Sequence, residues 1–361
     1  MHPRFHSLKV AEVRQETDDT VSIAFDVPAE VARDYDYKQG QYLTLRTEID
    51  GEDVRRSYSI CSGLDEGELR VAVKKVEGGL FSTYANETLK SGSLLDVMTP
   101  NGRFTSEIDP AESRTYVLFA AGSGITPVIS IAKTLLAREP QSKVLLFYGN
   151  RTVASIIFRE TLEDLKNRYL GRFGLYHLLS RETQEVELFN GRLDRDKVQA
   201  LCRSLINPAA VDAFFVCGPD TMIADVTGAL EEIGVPEKKV HRELFNTHPD
   251  GLVKPKPLEH GRREAKGDRA QVTVILDGVS HDFDLGFDGT SILDAATAEG
   301  LDLPFSCKGG VCCTCRAKLR EGKVDMAVNY ALEPEEVQQG FVLTCQSRPL
   351  TDRVVLDYDQ V

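Results

Sequence analysis

The sequence predicts a multidomain chain. It reads as an antiparallel β-barrel over residues 1–109, an α/β domain with a parallel five-stranded sheet over 110–245, a linker over 246–268 and a small α+β domain over 269–361. Three observations predict this. The first hundred residues are short strands punctuated by turns; from Arg114 onward apolar runs alternate with amphipathic segments; and five of the eight cysteines crowd beyond a stretch rich in proline, glycine and charge. A length of 361 residues itself argues for two or three domains. With 42% hydrophobic and 27% charged residues, the chain has the balance needed to bury full-sized cores.

The barrel is read from QYLTLRTEI (41–49), RSYSICS (56–62), ELRVAVKKV (68–76) and SLLDVMTP (93–100), with Asp50-Gly51 and Asn101-Gly102 as turn signals. A helix fits Phe81 to Leu89. The α/β domain is read from TYVLFAAG (115–122), KVLLFYG (143–149), GLYHLLS (174–180), AFFVCG (213–218) and KVHRELF (239–245). Helices fit between these runs at about 127–138, 157–170, 194–205 and 222–233. Near-continuous apolar strands alternating with helices imply a parallel sheet covered on both faces. The linker, 246–268, holds three prolines, three glycines and many charges, with little to bury. Beyond it, QVTVILDGV (271–279) and HDFDLGF (281–287) read as a hairpin. SILDAATAEG (291–300) reads as a helix ending at Gly300, and VLTCQSRPL (342–350) as a final strand.

The formal charge of −13 repels polyanions, which argues against nucleic-acid binding. No apolar run approaches bilayer-spanning length, and the start, MHPRFHSLKVAEV, lacks the apolar core of a signal peptide. No membrane association and a cytoplasmic location are therefore expected. Cys61, Cys202 and Cys217 are scattered, whereas Cys307, Cys312, Cys313, Cys315 and Cys345 cluster. A disulfide framework would spread its cysteines through a small chain; clustering points to metal or redox chemistry.

The decisive segment is LPFSCKGGVCCTCRAKL (303–319). Cys307, Cys312 and Cys315 have the spacing C-x4-C-x2-C, and Cys345 follows alone, which is the plant-type [2Fe–2S] pattern. A nine-residue loop presents three thiolates only if its backbone bends sharply, which Gly309 and Gly310 permit. Their N–H groups are also potential donors to cluster sulfurs. The alternatives are a four-cysteine zinc site, which usually takes two separated C-x2-C-like pairs, or structural thiols. Cys313, inside the ligand run, reads as a packed non-ligand. Residues 270–361 resemble plant-type ferredoxins, which implies a β-grasp fold for the segment. Its 15 acidic residues against seven basic ones suit either a solvated surface or docking on a basic partner.

Two segments of the barrel carry further chemistry. Arg56-Ser57-Tyr58-Ser59 ends a strand, and Gly78-Gly79-Leu80-Phe81-Ser82 opens the helix. A helix start preceded by glycines seats phosphate, because its N–H groups and dipole favour anions. An arginine, an aromatic face and such a helix start are what a flavin nucleotide needs. The pair resembles the R-x-Y-S and G-x-x-S motifs of the ferredoxin–NADP reductase family. The resemblance implies that Arg56 holds the flavin pyrophosphate, Tyr58 packs on the ring and Ser59 lies near its reactive nitrogen. It also implies that Gly79 and Ser82 cradle the phosphate, beside Phe81. FAD is the usual ligand of that family, and FMN occurs in some oxygenase reductases.

In the second domain, Gly122-Ser123-Gly124-Ile125-Thr126-Pro127 directly follows a strand. The dinucleotide fingerprint is broken by Pro127, yet strand, glycine turn and helix in that order still place a pyrophosphate at a helix start. The same family carries a proline there. The second strand ends in Asn150-Arg151 and the third in Ser180-Arg181-Glu182. An NAD site usually offers an acid to the ribose, whereas a 2′-phosphate needs arginine; Arg151, Ser180 and Arg181 therefore favour NADPH over NADH. Cys217-Gly218-Pro219 follows the fourth strand at the carboxyl edge of the sheet. In the family such a cysteine lies beside the reacting nicotinamide carbon. Glu243-Leu244-Phe245 resembles the closing segment of the family, in which an acid and an aromatic approach the flavin. Bland readings remain: a packed thiol for Cys217 and a surface carboxylate for Glu243.

The order of the domains narrows the resemblance to reductase components of multicomponent oxygenases. CKGGVCCTCRAKL, EGKVDMAVNYALE and GFVLTCQSRP resemble reductase subunits of phenylacetyl-CoA ring epoxidases. That implies NADPH as donor, FAD, and electron delivery to a di-iron oxygenase component, with Ser59, Cys217 and Glu243 at the reacting centre. A linker of this composition would let the cluster domain visit flavin and partner in turn. Reductases of Rieske-type or hydroxysteroid-type oxygenases are the alternative. A non-enzymatic redox sensor or a zinc scaffold is a third class.

Overall fold

The computed structural model describes residues 4–245, 264–265, 267–287 and 289–360. Most of the expected linker, residues 246–263 and 266, lies outside the described residues. Backbone contacts divide the chain into two compact units, 6–54 with 58–245 in one, and 1–5, 55–57 and 246–361 in the other. The two sequence domains up to residue 245 thus fall almost entirely in a single unit.

β1 (Phe5–Thr17) and β2 (Thr20–Asp26) form a hairpin, and the Asp19 carboxylate accepts the Thr17 and Thr20 hydroxyls across its turn at 2.9 and 3.1 Å. This hairpin precedes the first strand read from the sequence. Register shifts at Val10/Glu12 and Gln15/Thr17 break its period-two alternation. β3 (Tyr42–Ile49) and β4 (Glu52–Ser59) are joined by Asp50-Gly51, both at positive φ (52° and 83°), as a tight hairpin turn requires. β5 (Leu69–Lys74), α1 (Leu80–Glu87) and β6 (Leu94–Met98) complete the set. The sheet order is β4-β3-β6-β1-β2-β5, and a bridge from Ile60, just past β4, to Val71 of β5 closes it. Leu8, Val10, Ile23, Leu43, Leu45 and Val71 fill the interior without solvent exposure, and Phe81 of α1 packs into the same core.

The α/β part runs β7 (Thr115–Ala121), α2 (Ile125–Arg138), β8 (Lys143–Asn150), α3 (Arg159–Arg168), β9 (Phe173–Leu179), α4 (Arg195–Ser204), β10 (Ala213–Gly218), α5 (Asp220–Glu232) and β11 (Val240–Leu244). The five strands are parallel in the order β11-β10-β7-β8-β9, so the winding reverses between β7 and β10. A crevice opens at such a reversal, at the carboxyl ends of the strands. Side chains alternate across the sheet. Tyr116, Leu118 and Ala120 pack with α2, whereas Val117, Phe119 and Phe214 pack with α4 and α5. Cys61, Ala72 and Phe104 of the barrel belong to the first of these clusters, which makes one core of two sequence domains. Glu139, fully buried at the end of α2, accepts the Tyr116 hydroxyl (3.0 Å), the Ser142 hydroxyl (2.7 Å) and the Asp109 N–H (3.2 Å). It pins the connection between the barrel and β7.

The C-terminal part contains β12 (Arg269–Leu276), β13 (Val279–Gly286), α6 (Ile292–Ala298), β14 (Arg316–Glu321), β15 (Val324–Met326), α7 (Pro334–Gln338), β16 (Phe341–Leu343), β17 (Ser347–Pro349) and β18 (Arg353–Asp357). One sheet has the order β13-β12-β18-β14-β16, and β15 pairs with β17. The single strand expected over 342–350 is in fact two, β16 and β17. Backbone bonds from Gln346 N to Leu343 O and from Ser347 N to Thr344 O turn the chain between them, which puts Cys345 at a corner. Among the described residues no helix is long and apolar enough to cross a membrane.

Candidate functional site

α6 starts at Ser291, whose hydroxyl accepts the Asp294 N–H at 3.1 Å, and it stops before Gly300 at φ 85°. The chain then enters the cysteine loop. Lys308 (φ 46°), Gly310 (φ 77°) and Cys313 (φ 53°) all adopt left-handed backbone, which folds the loop back on itself. A Cβ on Gly310 would also come within 3.0 Å of Val328 O. The Gly309 N–H donates to Cys307 Sγ at 3.3 Å. Cys307 and Cys312 are in side-chain hydrogen-bonding contact, and so are Cys315 and Cys345. A two-iron cluster held by four cysteines takes two thiolates per iron, so this donor set of two pairs fits it. The Cys312 thiol, then, against the opposing effect of burial, the backbone N–H groups of Gly309, Val311 and Cys312, hold the Cys307 thiol below its usual range. Cys313 points elsewhere, donating to Ala331 O at 3.2 Å.

In the barrel, Arg56, Tyr58 and Ser59 lie on β4. The Tyr58 ring sits 5.4 Å from that of Phe81, tilted by 35°. Gly79 is the N-cap of α1, without a capping side chain, and Gly78 before it is at φ 72°. The Ser82 hydroxyl accepts the Val76 N–H (3.1 Å) and donates to Gly79 O (3.2 Å), so it shapes the turn. A Cβ on Gly79 would meet that hydroxyl at 2.6 Å. The uncapped first turn leaves its N–H groups for an anion, and an aromatic pair flanks it, an arrangement that suits a flavin nucleotide.

At the reversal point, Gly122 (φ 54°) and Gly124 form the turn into α2, and the Thr126 hydroxyl donates to Ser123 O at 2.9 Å. The Tyr148 hydroxyl, which the sequence pattern does not single out, donates to Gly122 O at 2.9 Å. Its signal is hidden because it sits in an otherwise apolar strand. A Cβ on Gly124 would lie 2.1 Å from Cys217 O, so this glycine lets the turn touch the end of β10. Pro127 lies in the first turn of α2, and Gly218-Pro219 lead into α5. Arg151 and Arg181 are exposed and run side by side through the bond from Arg181 N to Arg151 O (2.9 Å). Among the described residues neither guanidinium has a partner. Ser180 N bonds Asn150 O beside them, and the neighbouring Glu182 carboxylate is taken up by the Val153 N–H at 3.0 Å.

Ser59, Cys217 and Glu243 converge. Cys217 and Glu243 are register partners on β10 and β11, and the Ser59 hydroxyl donates to Glu243 Oε2 at 3.4 Å. Burial pushes the Cys217 thiol well up, with Glu243 adding to the effect. Burial also raises the Glu243 carboxyl to about 8, against the pull of the Ser59 hydrogen bond. Phe245, partly buried, packs against the shared core.

A folded-state pKa above the unfolded 4.5 means that the folded chain keeps a proton the unfolded chain releases. Stability should therefore fall as pH rises from 4.5 to about 8, and level off above. At 1.36 kcal/mol per pK unit the ceiling is about 5 kcal/mol, and the half-buried setting of Glu243 keeps the realised effect below it. In thermal melts from pH 5.5 to 9, E243Q should lose this slope and gain on the parent at the alkaline end. Parallel curves would show that Glu243 ionises freely.

The sequence matches three family models in turn: an oxidoreductase FAD-binding domain over residues 7–106, an oxidoreductase NAD-binding domain over 118–228 and a 2Fe-2S iron-sulfur cluster binding domain over 274–350. One of the subunits of the 1,2-phenylacetyl-CoA epoxidase of Escherichia coli (strain K12) is 46% identical over 98% of both chains. The chain belongs to the family of flavin and iron–sulfur oxygenase reductases. This reductase passes electrons through FAD to a [2Fe–2S] cluster for an oxygenase system. It is also 36% identical to the ferredoxin reductase component of 3-ketosteroid-9-alpha-monooxygenase from Rhodococcus rhodochrous, covering 97% of this chain and 96% of the relative. Among solved structures, phthalate dioxygenase reductase matches 98% of each chain with a TM-score of 0.59 at 22% identity, which shows a common fold. The family match replaces the zinc-scaffold alternative with an iron–sulfur domain.

Proposed function

We propose that this reductase oxidises NADPH and supplies single electrons to the di-iron component of a multicomponent oxygenase of the phenylacetyl-CoA epoxidase kind. The observation that carries the reading is the 46% identity to the Escherichia coli epoxidase component along 98% of both chains. A cytoplasmic setting belongs to the same reading.

In it Arg56, Tyr58, Phe81, Gly79 and Ser82 hold FAD rather than FMN: charge for the pyrophosphate, aromatic faces for the ring, and the open first turn of α1 for phosphate. Gly122, Gly124, Thr126 and Pro127 seat the pyrophosphate of the pyridine nucleotide, and Gly218, Pro219 and Phe245 border its nicotinamide end. Bound FAD supplies the exchange between two-electron hydride and the one-electron traffic of the cluster, which Cys307, Cys312, Cys315 and Cys345 hold. Glu243 carries a proton at neutral pH and Ser59 orients it; Cys217 stays a neutral thiol that walls the crevice. Arg151 and Arg181 have no carboxylate partner among the described residues, and Glu182 is engaged by backbone, which favours a 2′-phosphate over a bare ribose.

Anaerobic mixing with limiting NADPH or NADH tests the donor. Flavin and iron–sulfur absorbance should both bleach, faster with NADPH. In the R151A/R181A variant KM for NADPH should rise about tenfold or more while NADH is unaffected, since a charge-assisted bidentate contact is at stake. Equal loss with both nucleotides would reject the assignment. Turnover with an acyl-CoA epoxidase but with neither a Rieske oxygenase nor a hydroxysteroid-type monooxygenase would support the acceptor; the reverse would favour the alternative, to which the 36% identity to a 3-ketosteroid-9-alpha-monooxygenase component gives weight.

A further inference from the structure

The side chain of Gln346 is buried to 1% exposure between the corner that carries Cys345 and the cysteine loop. Its amide nitrogen donates to Lys308 O at 2.8 Å and to Cys345 Sγ at 3.8 Å. Its amide oxygen is buried, and among the described residues no donor faces it. Rotating the amide would set oxygen against the Lys308 carbonyl, so the orientation is fixed by the acceptor it meets. An apolar residue of the same size would avoid burying that orphan oxygen. The Gln346 Cγ also lies 3.3 Å from where a Cβ of Gly310 would stand.

The Lys308 carbonyl and the Gly309 N–H are two ends of one peptide unit. One end takes the Gln346 amide and the other donates to Cys307 Sγ at 3.3 Å. A hydrogen bond at the carbonyl polarises the peptide and strengthens its N–H as a donor. The same bond holds Lys308 in its left-handed conformation (φ 46°). We propose that Gln346 is a positioning residue of the cluster: through the Lys308–Gly309 peptide it aims a donor at Cys307 and ties the corner of Cys345 to the loop. This rests on the cluster assignment above. Donors to thiolate sulfur favour the reduced, more negative cluster, so Gln346 raises its potential.

The test uses the full-length holoprotein and its Q346L and Q346M variants. Methionine keeps the length and packing but has no donor. Iron and sulfide are measured first; absence of both from the parent would sink the cluster assignment itself. The cluster potential is then read by anaerobic redox titration, and iron loss by exposure to a chelator. Both variants should titrate at lower potential, the reduction constant falling about tenfold, or about 59 mV for a one-electron couple. Both should release iron several-fold faster, with flavin reduction by NADPH unchanged. Unchanged or higher potentials would overturn the proposal. Failure of both variants to take up iron where the parent does would also overturn it, by making Gln346 a requirement of the fold.

Discussion

C345S should abolish cluster-dependent electron delivery while leaving hydride uptake intact. Cys345 is the partner of Cys315 and the one candidate ligand outside the nine-residue loop, held at the corner between β16 and β17. Without it, one of the two thiolate pairs is broken. Changes one shell further out typically cost 10–100-fold in metal affinity, so loss of a ligand should cut transfer to the oxygenase by about a hundredfold or more. Ferricyanide, which accepts electrons from flavin directly, should be reduced at a rate within roughly twofold of the parent, because β4, α1 and the crevice are untouched. Iron content, cluster absorbance and the two rates measured together decide it. Normal iron and normal delivery in C345S would remove Cys345 from the ligand set.

G124A should damage the nucleotide site more than any other single methyl. The backbone of Gly124 is ordinary (φ −61°), so the penalty is purely one of space: Cys217 O at 2.1 Å, Cys217 C at 2.5 Å and Gly218 N at 2.8 Å. These atoms are backbone and cannot rotate away. The turn must move off β10, and overpacking of this kind costs about 3 kcal/mol or more. Displacement by about 1 Å at a reaction centre can cost a hundredfold in rate, so kcat/KM should fall by roughly that factor. G122A provides the comparison. Gly122 has nothing within 4 Å of its absent Cβ, and its φ of 54° costs an alanine only about 1–2 kcal/mol. Equal melting temperatures and equal kinetics in the two variants would refute the close-approach argument.

The parts of the molecule that were legible in the sequence are those written locally. Three cysteines in nine residues announce the cluster, and Asp50-Gly51 announces its hairpin, because each depends on neighbours along the chain. The five parallel strands were legible because burial on both faces leaves unbroken apolar runs. What pattern could not supply was convergence. Nothing in RSYSICS says that Ser59 will reach Glu243, since that contact needs β11 to lie beside β10 and the barrel to pack against the sheet. Tyr148 and Gln346 were missed for the same reason, as their partners are backbone carbonyls of distant turns. Residues 342–350 read as one strand because Thr344, Cys345 and Gln346 continue the texture of β16, whereas the backbone turns there.

Cys61, Ala72 and Phe104 are built into a hydrophobic cluster dominated by β7, α2 and β8. A junction between residues 106 and 115 therefore cuts across a shared core. A chimera joined there would present a donor barrel to an acceptor sheet with mismatched faces. Recombination among such reductases should have preserved barrel and sheet as an inherited couple, with co-varying side chains at these three positions and at those they face. A designer who wants a different nucleotide preference is better served by grafting the ends of β8 and β9 than by exchanging the whole α/β half.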